Sequence, residues 1–167
     1  GGALTTCCGF FQPSQNLVNN FKTDDTGLPV ADFNKESVPI DDSQKYAGGL
    51  DPRLDHTVGR DGVPYLDWGI HNPLYVRDRA YAGGFSPKKN SPMKSENGSL
   101  TWANNPRQNA NNYRAIRYAH VLLWLAECEV EANNLEAARA LVNQVRTRAA
   151  NPAGFVTMPD GKAAGNY

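Results

Sequence analysis

Apolar positions recur at helical spacing over only one long stretch of this chain, Tyr113 to Ala150. There Ile116, Ala119, Leu123, Ala126 and Val130 follow one another at steps of three and four, the rhythm of a helix face that is buried. Leu135, Ala138, Val142, Val145 and Ala149 repeat that rhythm after an Asn133-Asn134 turn. The pattern predicts two antiparallel helices packed face to face, the first starting near Tyr113 to Ala115. The second has Glu136 in its first turn and Arg146 and Arg148 in its last, which suits its dipole, and Asn151-Pro152 stops it.

Elsewhere the pattern is short or absent. Leu17, Val18 and Phe21 follow Ser14 closely enough to predict a short helix over Ser14 to Thr23 with Ser14 as its N-cap. Residues 30 to 112 hold most of the 11 prolines and 15 glycines, so the chain turns every few residues there. Within that region a turn of helix at Asp51 to Asp55 leads into a short strand at His56 to Gly59, and Val63 to Leu66 reads as another extended piece. The expected fold class is mainly α, a tetratricopeptide-like helical hairpin joined to a large irregular loop-rich region. The expected divisions are residues 1–112 for the loops, 113–150 for the hairpin and 151–167 for a C-terminal loop. One helix pair cannot bury its outer faces alone, so the pattern implies further helices, and a chain that opens without Met reads as a fragment or a processed chain.

Composition narrows the function classes. Seventeen basic and seventeen acidic residues give no net charge, so the field that draws a protein to nucleic acid or an anionic membrane is missing. No stretch is apolar enough to span a bilayer, since Glu127 and Glu129 interrupt even VLLWLAECEV. Cys7, Cys8 and Cys128 form no CxxC pair and have no His at ligand spacing, which argues against a metal site. Cys128 reads as a small buried hydrophobe in the first helix, and adjacent Cys7-Cys8 either form a vicinal disulfide or stay reduced.

No catalytic motif is present, and no cofactor is indicated. The carboxylate pairs Asp41-Asp42, Asp51/Asp55 and Asp61/Asp67 have the residue types for glycoside hydrolysis, but Asp among Pro and Gly serves mainly to close turns. His56, His71 and His120 are scattered, and His120 reads as a satisfied, partly buried histidine. Aromatic residues set among Asn, Asp, Gln and Arg stand out: Tyr46, Tyr65, Trp68, Tyr75, Tyr81, Phe85, Trp102 and Tyr113. Sugar rings stack their C–H faces on such planes while amide, carboxylate and guanidinium groups bond their hydroxyls. The same rings are also the main source of buried area in an irregular domain. Trp68 and Trp102, flanked by polar turn formers, lead the ligand candidates, with Tyr65 and Tyr75 beside them. Trp124, inside the hairpin, reads as core.

In order along the chain, CCGFFQPSQNLVNNFKTDDTGLP, LDPRLDHTVGRDGVPYLDWG, SPKKN, NNYRAIRYAHVLLWLAE and NNLEAARALVNQVRTRA resemble the SusD/RagB family of outer-membrane nutrient-binding proteins of Bacteroidota. The resemblance implies an α scaffold with several tetratricopeptide-like pairs and a loop-rich part that carries the ligand. It implies a surface lipoprotein that captures an oligosaccharide or polysaccharide without catalysis. Capture is followed by delivery to a SusC-like TonB-dependent transporter, with contact to the membrane only through a lipid anchor outside this stretch. Peptide or protein binding of the tetratricopeptide type is the alternative. No ligand-contacting residue transfers by motif, and Arg114, Arg117, Tyr118 and Glu127 match a recurrent helix pattern whose implied role is partly buried polar packing.

Overall fold

The computed structural model describes residues 11–41, 46–89, 91–102, 105–110 and 112–167, with the backbone alone at 102 and 105–109. Two compact units result: residues up to Asn111 together with Val156–Tyr167, and Asn112–Phe155. The fold is mainly α, and its long elements are both in the second unit.

In the first unit, helix α1 (Gln15–Asn19) begins where Ser14 accepts the Leu17 N–H, as its sequence predicts. Three two-stranded antiparallel ribbons follow among the described residues. Strand β1 (Lys22–Thr23) pairs with β2 (Gly49–Leu50). Helix α2 (Arg53–Thr57) runs directly into strand β3 (Val58–Gly59), which pairs with β4 (Ser86–Pro87). Between these last two strands lies helix α3 (Arg79–Ala82), capped by the Asp78 carboxylate. Strands β5 (Thr101–Trp102) and β6 (Asn105–Asn109) close the third ribbon. Such short elements need a common core, supplied by Val18, Val38, Leu50, Leu54, Val58 and Phe85, with Phe21, Ile40, Tyr46 and Tyr167 packed against it. The Lys22 ammonium donates to the carbonyls of Phe33 and Glu36, which ties the intervening loop, and it lies over the Tyr46 ring.

The segment from Val156 to Tyr167, expected as a loop apart, packs into this unit. Leu50 N–H donates to Asn166 O, Arg60 donates to Ala164 O and the Tyr167 hydroxyl donates to Asp55.

The second unit is the hairpin, with α4 (Tyr118–Glu131) and α5 (Leu135–Ala149). At the turn Asn133 takes a left-handed conformation with φ 61°, and the N–H groups of Asn133 and Asn134 donate back to Val130 O and Glu129 O. This is the Schellman arrangement that Asn at that position favours. Helix α4 starts later than the sequence predicts, because Arg117 is extended and the residues before it stay non-helical. The buried face also differs in phase. Leu122 and Ala126 are buried and Ala119 half-buried, whereas Ile116, Leu123 and Val130 are exposed. Apolar residues occupy nearly every side of α4, so spacing alone leaves the phase open, and the face with small alanines is the one that lets α5 approach. On α5 the predicted stripe holds through Ala138, Val142, Val145 and Ala149, while Leu135 is exposed.

The same phase places Trp124, expected in the core, at 51% exposure. Cys128, expected buried, is exposed and free. His120 is exposed rather than partly buried, with Nδ1 facing the Arg117 N–H at the helix start. Arg114, Arg117, Tyr118 and Glu127 are exposed too, so the partly buried polar packing expected of them is not formed. Cys7, Cys8 and Asp42 lie outside the described residues.

The phase shift has a direct test. Leu122→Ala is expected to destabilise the hairpin by about 2 to 3 kcal/mol, and Leu123→Ala by less than about 1 kcal/mol, in urea unfolding followed by circular dichroism.

Candidate functional site

The Trp68 loop is built from two ends inward. Val63 to His71 folds back on itself as an irregular hairpin: His71 N–H donates to Val63 O, and Tyr65 N–H to Gly69 O. The reversal needs positive φ at Leu66 (51°) and Gly69 (106°). Asp67 and Trp68 therefore stand at the tip. The Asp67 carboxylate accepts the N–H groups of Lys94 and Ser95, and the Trp68 Nε1–H donates to Pro92 O at 3.0 Å. Burial acts to raise the Asp67 pKa, but the backbone donors of Ser95 and Lys94 outweigh it and hold the carboxyl below its usual value. Half-buried Trp68 thus presents an indole already fixed in orientation.

Beneath the tip the side chains are fully enclosed. Tyr65 is 0% exposed, and its hydroxyl donates to Pro87 O and meets Ser91 Oγ at 3.0 Å. Tyr75, at 4%, donates to Trp68 O. Both were candidates for sugar stacking, and neither ring has a free face in this conformation. They pack on each other and on His71, with centroids 4.9 to 5.8 Å apart. Their place is to support the Trp68 loop from below. Gly59 completes the fit, since a Cβ there would meet the Tyr65 ring at 2.6 Å and His71 at 2.9 Å. The Trp102 side chain lies outside the described residues.

Two polar networks hold this floor. In the first, Arg60 forms a bidentate pair with Asp55 at 2.7 and 2.9 Å, with both side chains buried. The Lys88 ammonium, from the SPKKN segment, donates to the carbonyls of Asp55 at 2.7 Å and Pro64 at 2.6 Å. Burial pushes the Lys88 pKa down to about 8, with nearby Asp55 opposing and Arg60 reinforcing the shift. In the second network His71 Nδ1–H donates to Asp61 Oδ1 at 2.8 Å, and Nε2 accepts from the Ser86 hydroxyl at 2.8 Å. Arg79 pairs with the other oxygen of Asp61. An Asp–His–Ser line invites comparison with a hydrolytic triad. Here Ser86 is completely buried between Tyr75 and His71, so no substrate reaches its Oγ and the line serves as a structural clasp.

Two further candidate carboxylates are committed as well. Asp51 caps the Arg53 N–H and pairs with its guanidinium, and Asp67 caps the Lys94–Glu96 turn. Among the described residues no cluster of His, Cys, Asp or Glu is arranged to hold a metal, and no helix is long and apolar enough to cross a membrane.

The family model for the SusD family matches residues 3–165. The chain belongs to the SusD family. A comparison with curated proteins finds no match. The SusD family comprises non-catalytic binding proteins known for glycan binding at the cell surface. Its members are generally outer-membrane surface lipoproteins that associate with SusC-like transporters. In this SusD-family chain the first network joins the segments DPRLDHTVGR and SPKKN, and the Tyr65 hydroxyl ties YLDWG to SPKKN at Pro87.

Tyr81, one of the aromatic residues that the sequence sets among polar neighbours but not one of its four leading candidates, is 90% exposed on α3. The signal was available: a four-residue helix between the Asp78 cap and Gly83-Gly84 is too short to bury an aromatic on both faces.

Burial lowers the His71 pKa to about 4, with Asp61 opposing and Lys88 and Arg79 adding to the shift. The unfolded chain, with an ordinary imidazole near 6.5, binds the proton first as pH falls. The His71 contribution to stability is therefore complete above pH 6.5 and lost between about 6.5 and 4, by at most roughly 1 kcal/mol per pH unit. Urea midpoints measured across that window should show this slope, and His71→Gln should flatten it.

Proposed function

We propose that this chain binds an oligosaccharide at the cell surface without turning it over and delivers it to a SusC-like TonB-dependent transporter. Membership of the SusD family along residues 3–165 carries the reading. The placement of Trp68 supports it. An indole pinned through Nε1, on a loop whose backbone Tyr75 holds at Trp68 O, keeps its orientation before a ligand arrives, so little side-chain entropy is lost on stacking. Asp51, Asp55, Asp61 and Asp67 are all held by guanidinium, imidazole or backbone donors, which suits a binder better than a glycosidase. Trp102 and exposed Tyr81 are proposed as further stacking surfaces.

A second reading, a peptide or protein interaction module, is favoured by the exposed apolar side chains of α4, Val121, Trp124 and Leu125. Affinity for extended peptides without affinity for any sugar selects that reading.

The test pairs a glycan array with calorimetry on the best hit. Trp68→Ala is expected to weaken binding at least tenfold, about 1.4 kcal/mol, with an unchanged far-ultraviolet spectrum. Full affinity in a Trp68→Ala/Tyr81→Ala double variant contradicts this assignment.

A further inference from the structure

Charge is unevenly placed along the hairpin unit. All its carboxylates, Glu127, Glu129, Glu131 and Glu136, lie toward the turn, where Arg139 pairs with Glu136, while the other four arginines, Arg114, Arg117, Arg146 and Arg148, lie toward the open end. Along α4 the nearest carboxylate to Arg117 is Glu127, roughly 15 Å away at 1.5 Å per residue. That exceeds the screening length of about 8 Å at physiological salt, so within the unit these cations are not neutralised.

The open end is also concave. A groove of about 460 Å³ lies between the start of α4 and the end of α5, within the size range of small-ligand sites. Its floor is apolar, made of Ala119, Leu122 and Val145, and its exposed rim carries Arg117, Tyr118, Gln144 and Arg148. Neither rim guanidinium makes an ion pair or a hydrogen bond among the described residues. Arg148 suits the C-terminus of its own helix. Arg117 does not: it sits at the positive end of α4, where a cation is locally unfavourable, while the three glutamates of α4 crowd the negative end. The dipole of α4 gives no reason for that placement, and an anion in the groove supplies one.

We propose that this groove is a second binding site, for a carboxylate-bearing sugar of the uronate class. The guanidiniums take the carboxylate in bidentate geometry, Gln144 and the Tyr118 hydroxyl take ring hydroxyls, and the apolar floor with the Tyr118 ring receives the C–H face. An acidic peptide fits less well, because two helices with internally bonded backbones offer no row of free N–H and C=O groups to an extended strand. The choice of a sugar rests on the glycan-binding reading. The site itself rests on the groove and its charges.

The experiment is an amide-resolved NMR titration of the whole chain with trigalacturonate, its methyl ester, pentaglutamate and inorganic phosphate. Expected are shifts at residues around 117–122 and 144–148, independent of any at the Trp68 loop, with binding there at least tenfold weaker for the ester and for an Arg117→Gln/Arg148→Gln variant. Both side chains are exposed, so that variant should keep its helical spectrum, and the ester comparison needs no variant at all. Trp68→Ala should leave these shifts unchanged, which separates failure here from failure at the Trp68 loop. Equal binding of acid and ester at the groove, undiminished binding there by the double variant, no shifts around 117–122 and 144–148, or pentaglutamate or phosphate binding there as tightly as trigalacturonate each overturn the proposal.

Discussion

The carboxylate of Asp55 has no accessible surface, and an isolated charge in that position would be expelled from the interior. It stays because Arg60 meets it with two hydrogen bonds, the Tyr167 hydroxyl donates to it, and Lys88 holds the carbonyl of the same residue. These partners come from 5, 112 and 33 residues away in sequence. One buried anion therefore decides that α2, the loop after β3, the SPKKN segment and the C-terminal segment lie together. The ribbons are only two residues deep along most of their length and hold no such register by themselves. Removing one member leaves charges without partners in a dry site, which is why the set behaves as a unit.

From that set the geometry passes outward to the candidate binding loop. Lys88 also holds Pro64 O, and Tyr65, the next residue, donates to Pro87 O beside Lys88. The root of the 63–71 loop is thus tied from both sides, and Tyr75 and His71 fill the space under its tip. Trp68 is left partly exposed with its indole nitrogen already committed. Rigidity at the base and a partly exposed indole at the tip suit the non-catalytic capture surface proposed above.

Local physics was legible from the sequence and distant pairing was not. Ser14 as a cap, the Asp51–Gly59 helix-to-strand step and the Asn133-Asn134 reversal each depend on a few neighbouring residues, and each appears as read. The phase of α4 depends on which of several apolar faces a partner selects, so Leu122 rather than Leu123 is buried. Tyr65 and Tyr75 carry the same local signature as Trp68, aromatic among turn formers, and only packing separates support from display, through partners 22 and 26 positions away for Tyr65 and the rings of Tyr65 and His71 for Tyr75. Buried Asp55, Arg60 and Lys88 gave no sign at all, because a charged residue reads as solvated until its partners are known. The family resemblance did reach these residues indirectly, since its most recognisable segments are the ones that the buried charges tie together.

Native-state hydrogen exchange in a Lys88→Met variant tests the dependence of the Trp68 loop on this charge set most directly. The substitution keeps the side-chain volume but strips the carbonyls of Asp55 and Pro64 of their donor. Together, the amides of Tyr65, Trp68 and His71 and the Trp68 indole N–H should lose protection by about a hundredfold, close to 3 kcal/mol, while amides of α4 and α5 keep theirs. Unchanged protection at Trp68, or an equal loss across the hairpin, would contradict the account.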